Sequence, residues 1–114
     1  MHEMAIVQSM LAILEDQARR HGATRIIAVN LEFGVLTAVV PSAIEFGFEI
    51  VSKGSLAEGA CLNISIIPVK ALCQECHKEI TMNDYDPFCP ACGSAALRIV
   101  EGRDEMRVAS MEIE

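Results

Sequence analysis

The sequence predicts an α+β fold: a small mixed three-stranded sheet with two helices, plus an inserted zinc-ribbon-like module. Three observations carry this. Apolar residues follow helical spacing over residues 3–20 and again after Pro41, while residues 25–33 and 61–69 alternate with the period of a strand. Two C-x-x-C pairs, Cys73-Gln-Glu-Cys76 and Cys89-Pro-Ala-Cys92, then interrupt the pattern before a last strand.

The first helix spans residues 3–20. Met4, Val7, Leu11, Leu14 and Ala18 share one face, and Ile6, Met10 and Ile13 widen it. Arg19, Arg20 and His21 suit the negative end of the helix dipole, and Gly22 can take the left-handed cap. In the next strand Ile27, Val29, Leu31 and Phe33 face one way, and Ala28, Asn30 and Glu32 the other. Pro41-Ser42-Ala43-Ile44-Glu45 offers a helix start with a Ser-x-x-Glu capping box. That helix buries Ile44, Phe48 and Val51, with Phe46 and Ile50 flanking, and stops near Lys53-Gly54. From Cys61 to Val69 the chain alternates again, with Leu62, Ile64 and Ile66 opposite Asn63, Ser65 and Ile67; Pro68 suits the strand's end. Cys61, in an apolar strand, is expected to be a buried core thiol. Arg98-Ile99-Val100 leads through Gly102-Arg103-Asp104 to the last strand, Met106 to Ile113. The 25–69 link is long enough for a right-handed parallel crossover.

The 114 residues are 52% apolar, enough for a core. No apolar run reaches the length of a membrane span, and the start lacks the basic-then-apolar pattern of a secretory signal. Five cysteines, four in metal spacing, suit a reducing cytoplasm. Net charge is −7, and residues 70–100 carry only Lys70, Lys78 and Arg98 against Glu75, Glu79, Asp84 and Asp86. That balance argues against phosphate-backbone binding, the usual first expectation for a zinc ribbon.

Four thiolates in two short-spaced pairs are what tetrahedral Zn²⁺ needs. Pro90 stiffens the second turn and Gly93 can adopt positive φ, so backbone N–H groups can point at the sulfurs. Three rivals are weaker. Rubredoxin-type iron uses a longer separation. Thioredoxin-like chemistry needs a pair at a helix start. Cys73-x-x-Cys76-His77 matches a haem-attachment pattern, but would leave the second pair without a role. His77 reads as a solvated neighbour or a spare ligand. A closed Cys73, Cys76, Cys89, Cys92 shell has no open position for substrate, so it is structural and no catalytic residue is expected.

Met1-His2-Glu3 is the second place with chemistry in it. The bulky His2 should leave Met1 in place, so the terminal amine, the His2 amide and the His2 imidazole can close fused chelate rings. Nitrogen donors in a plane select Ni²⁺ or Cu²⁺ over Zn²⁺.

Met1-His2-Glu3 at the head of an amphipathic helix, Ala57-Glu58-Gly59 before a strand, the two cysteine pairs and the terminal Ser110-x-Glu112-Ile113 together resemble the HypA/HybF family. The resemblance covers essentially the whole chain. It implies a nickel metallochaperone for [NiFe]-hydrogenase maturation, some members also serving urease. Residues 1–69, completed by 101–114, would be a nickel-binding α/β domain, and residues 70–100 a zinc-binding module. His2 would be the key nickel ligand, helped by the Met1 amine and the backbone at His2 and Glu3, with structural Zn²⁺ on the four cysteines. Implied partners are the GTPase HypB and the hydrogenase large-subunit precursor; the family is often monomeric but able to dimerise, and is cytoplasmic. The chain departs from the pattern at Val39-Val40-Pro41, where many relatives carry an acid. Val40 cannot donate to a metal, so nickel should rest more exclusively on the N-terminal chelate, with Glu3, Glu45 or water as substitutes. The competing reading is a zinc-ribbon interaction adaptor with no nickel role; a C-x-x-C redox enzyme is a third.

Overall fold

The computed structural model describes residues 3–82 and 86–114. In chain order it contains α1 (Glu3–Arg20), β1 (Ile26–Gly34), a short 3₁₀ turn (Val35–Thr37), α2 (Pro41–Val51), β2 (Cys61–Ile67), β3 (Val69–Cys73), β4 (Glu79–Met82), β5 (Leu97–Glu101) and β6 (Met106–Ile113). Two three-stranded sheets result, ordered β2-β1-β6 and β4-β3-β5. The chain divides into two compact units: Met1–Leu31 with Val39–Ser65 and Arg107–Glu114, and Glu32–Ala38 with Ile66–Met106. The cysteine unit thus takes in residues 32–38, 66–69 and 101–106 besides the 70–100 segment.

In the first unit α1 and α2 pack against each other, and apolar residues of both helices and of β1 are buried. Val7, Met10, Leu11, Leu14 and Ala18 are buried along one stripe of α1. Ile13 and Met4, expected on that face, stay exposed. The helix ends in a Schellman motif: the Ala23 amide donates to the Ala18 carbonyl (2.9 Å) and the Gly22 amide to Arg19 (3.0 Å). Only a residue at ease with positive φ fits between them, and Gly22 sits at +70°.

α2 starts two residues earlier than a Ser42 cap would require. Val40 is the N-cap, with no side-chain bond, and Pro41 is the first helical residue. Proline's fixed φ and missing N–H suit that position, so Ser42 falls inside the helix and the Ser42–Glu45 box does not form. Ile44, Gly47 and Phe48 are buried, Val51 is half-buried, and Phe46 and Ile50 are exposed.

In β1, Val29, Leu31 and Phe33 are buried as their alternation requires; Ile26 rather than Ile27 completes the set. Thr24 and Arg25 bond to Glu114, and Asn30 Nδ2 donates to Ser110 Oγ (2.8 Å), so β1 and β6 run antiparallel. On the other edge the Ile26 amide meets the Leu56 carbonyl, and Asn63 Nδ2 donates to Asn30 Oδ1 (3.0 Å). Both contacts advance together along the chain, the parallel sense of a strand–helix–strand crossover. Asn63, Asn30 and Ser110 form a polar row across the sheet's open face.

Cys61 lies in phase with Asn63 and Ser65 and is exposed, not buried. Period-two alternation puts residues 61, 63 and 65 opposite half-buried Leu62 and Ile64, and this phase overrides the thiol's usual preference for the core. Its Sγ donates to Asn63 Oδ1 at 3.7 Å.

In the second unit β3 is the central strand. It pairs antiparallel with β4 (Val69↔Met82 to Leu72↔Glu79) and with β5 (Cys73↔Leu97 to Lys70↔Glu101), with a bulge at Lys70/Ala71. Val69, Ala71 and Cys73 point inward. Lys70 stands 3.7 Å from both Glu79 and Glu101, a cross-strand charge triad. Residues 32–38 are clasped to the loop after β5. The Leu36 amide donates to Gly102 O, the Gly34 amide to Glu105 O, and both Glu105 carboxylate oxygens accept the Gly102 amide at 2.9–3.0 Å.

Candidate metal centre

The four paired cysteines come together at one end of the β4-β3-β5 sheet. Cys73 is the last residue of β3, and the 73–78 turn leads into β4; Cys89 opens the turn that leads towards β5. The two turns repeat one hydrogen-bond pattern. Cys73 N–H donates to Lys78 O (3.0 Å) and His77 N–H to Cys73 O (2.9 Å). Likewise Cys89 N–H donates to Ser94 O (2.7 Å) and Gly93 N–H to Cys89 O (2.7 Å). Each turn closes through a left-handed residue at the fifth position, His77 at φ +60° and Gly93 at φ +77°. Gly93 takes this backbone without strain, and His77 holds the equivalent position while its ring is solvent-exposed.

This pattern aims both sulfurs of a turn the same way, and the two turns face each other. All four Sγ atoms lie within 4.8 Å of one another. Cys73 and Cys92 approach to 3.6 Å and Cys76 and Cys89 to 3.8 Å. A zinc–sulfur bond of about 2.3 Å in a tetrahedron gives sulfur–sulfur edges of about 3.8 Å. The donor set and its spacing therefore fit a four-thiolate metal ion. The leading cysteine of each turn is buried, whereas Cys76 is half-buried and Cys92 exposed.

The backbone prepares the site for thiolates. The Cys76 amide donates to Cys73 Sγ (3.5 Å), and this bond outweighs desolvation to bring the Cys73 thiol down from 9.0 to about 7. Cys92 also receives an amide, from Ser94, but desolvation and the three neighbouring sulfurs push it up to about 12. Cys73 therefore ionises before Cys92, a separation that a bound cation would erase. Neither pair opens a helix; both lie in turns between strands, so the arrangement that activates a redox C-x-x-C is absent among the described residues.

Of the other expected site residues, Met1 and His2 lie outside the described residues. Glu3 is half-buried and begins α1. It lines a shallow depression with Met4, Ala43, Phe46 and Ile50. Val40 is exposed at the α2 N-cap, and Glu45 is exposed one turn into that helix. The backbone contribution of His77 and the depression around Met4 are not evident from residue chemistry alone. The matching C-x-x-C-His and C-x-x-C-Gly spacings could have pointed to the first, but nothing in the local pattern pointed to the second.

The family described as hydrogenase/urease nickel incorporation, metallochaperone, HypA, matches residues 1–113. The hydrogenase maturation factor HypA of Geobacter metallireducens is 46% identical over 114 residues, and HybF of Proteus vulgaris is 42% identical over 114; both alignments cover 100% of each chain. The solution structure of the nickel metallochaperone HypA from Helicobacter pylori superposes with a TM-score of 0.68 at 30% identity, covering 99% of this chain and 97% of that one. A second solution structure of a HypA protein gives a TM-score of 0.73, also at 30% identity, covering 99% and 96%.

Proposed function

The chain belongs to the HypA family of nickel-incorporation metallochaperones, and from that premise we propose that it binds Ni(II) at its N-terminus and delivers it to the [NiFe]-hydrogenase large-subunit precursor. The observation that carries this reading is the sequence Met1-His2-Glu3, whose Glu3 belongs to α1, in a chain matched to that family over residues 1–113. The Met1 amine, the His2 amide and imidazole, and the Glu3 amide together offer four nitrogens in adjacent chelate rings.

Helix geometry supports the donor set. Amides in the first turn of a helix have no intrahelical acceptor. An amide there can lose its proton and bind a metal without breaking a helix bond. The positive end of the helix dipole also favours the negative charge that a deprotonated amide carries. With Val40 in place of an acid at the α2 N-cap, that loop residue supplies no oxygen ligand.

The four cysteines, in this reading, hold a structural Zn²⁺. The metal would cross-link the two turns and leave no coordination position open, so the family's role of carrying metal rather than catalysing a reaction falls to the other end of the chain. The cysteine unit then presents a fixed docking surface. The GTPase HypB and the large-subunit precursor are the proposed partners, in the cytoplasm. A net charge of −7 favours basic docking patches and salt-sensitive association.

Calorimetric Ni(II) titration of protein with its native N-terminus tests the proposal. One nickel per chain is expected, lost in His2→Ala and lost when residues are added before Met1, with zinc content unchanged in both. Titrations indifferent to both changes would leave the adaptor reading in place of this one.

A further inference from the structure

Gly47 sits inside α2 and is buried, yet it needs no positive φ. Glycine is the poorest helix former after proline, so in this place it weakens the helix it belongs to. A Cβ built on it would lie 2.8 Å from Met4 Sδ, 3.5 Å from Val7 Cγ2 and 4.0 Å from Val7 Cβ. Only the first of these is too close, and it involves the far end of a flexible, unbranched side chain. Met4 could swing aside at little cost to the fold. Packing alone therefore does not demand a glycine.

What the glycine secures is the place of Met4. Its sulfur lies over Gly47, within the depression formed with Ala43, Phe46 and Ile50 and bordered by Glu3. Met4 is otherwise exposed (43%), whereas the buried stripe of α1 begins only at Val7. We propose that Gly47 is a seat for the Met4 thioether, and that this seat anchors the first turn of α1 where the N-terminal nickel chelate is built. The inference rests on the N-terminal nickel site proposed above. Met4 directly follows Glu3, whose amide is one of the proposed donors, so a displaced Met4 loosens the backbone that sets the chelate's plane. Met4 and Gly47 are positioning residues: neither touches the metal.

The test compares Gly47→Ala, Met4→Ala and Met4→Leu with His2→Ala as reference, all with native N-termini. Ni(II) affinity, zinc content and thermal melting are read for each. Gly47→Ala and Met4→Ala should weaken nickel binding by about ten- to a hundredfold, the range seen when the support of a metal ligand is removed. Gly47→Ala should nevertheless melt at or above the wild-type temperature, since alanine favours the helix; a purely structural role predicts the reverse. Met4→Leu fills the seat without sulfur and should keep wild-type affinity. Wild-type nickel binding by Gly47→Ala, with His2→Ala defective, would overturn the seat while sparing the N-terminal site. If Met4→Leu lost as much as Met4→Ala, a sulfur ligand would replace the seat. Should His2→Ala also bind like wild type, both ideas fall together.

Discussion

Gly93 and Gly102 show how differently two left-handed glycines can be constrained. Gly93, at φ +77°, has nothing within 4 Å of a built Cβ, so only backbone strain opposes a side chain there. Gly102, at φ +89°, would drive a Cβ into the Pro68 carbonyl and Val69 Cα, and it is buried beneath the Glu105 carboxylate that binds its amide. Gly93→Ala should cost about 1–2 kcal/mol of stability, and Gly102→Ala roughly 2–4 kcal/mol because strain and overlap combine. Urea unfolding of the zinc-bound variants measures both; equal losses would mean that the Gly102 loop relaxes freely. His77 holds the same kind of backbone as Gly93 without a glycine, which histidine tolerates better than β-branched residues do. Cys61 illustrates a different point at this scale. Residue preference alone predicts its burial, but strand phase, marked by Asn63 and Ser65, exposes it.

Long elements were legible because periodicity and caps agreed. The α1 stripe, its basic last turn and Gly22 all pointed to one helix with one end, and the structure ends it there. The β2-β1-β6 sheet followed from alternation interrupted by the cysteine pairs. The second sheet was not legible as strands: β3 and β4 have five and four residues, too few for a period to declare itself. Their order comes from the two cysteine turns, whose spacing was read for its chemistry rather than for the hairpins it builds. The same turns set the element-scale pH response. With Cys73 lowered from 9.0 to about 7, its thiolate contribution to folding of the metal-free chain is present above 9 and lost as pH falls through 7. Cys92, raised to about 12, works oppositely: its contribution is present below 9 and lost above 12. Because zinc binds only thiolates, its affinity should fall with acid, and the slope of log affinity against pH should drop by about one as pH rises through 7. Chelator competition across that range checks it; a constant slope would mean that the Cys76 amide does not tune Cys73.

The two units differ in how they are held together. The first has an extended apolar core from both helices and the sheet, including Val7, Leu14, Val29, Ile44 and Phe48. In the second, the buried set is small, and two of its members are the sulfurs of Cys73 and Cys89. A unit that relies on its ligands as core depends on the metal for much of its stability. Stripping the metal with a chelator should therefore remove amide-exchange protection from β3, β4 and β5 while α1 and α2 stay protected. Uniform loss across the chain would show that the units fold as one. The division also fits the proposed separation of tasks, with the closed four-sulfur site in one unit and the N-terminal chelate at the head of the other. The most direct test of that separation is the ligand-field spectrum of the nickel-loaded protein with a native N-terminus, measured alongside its zinc content. The account predicts one diamagnetic, planar Ni(II) per chain with a full complement of zinc, the planar band vanishing in His2→Ala. Octahedral nickel unaffected by His2→Ala, or nickel gained only at the expense of zinc, would contradict it.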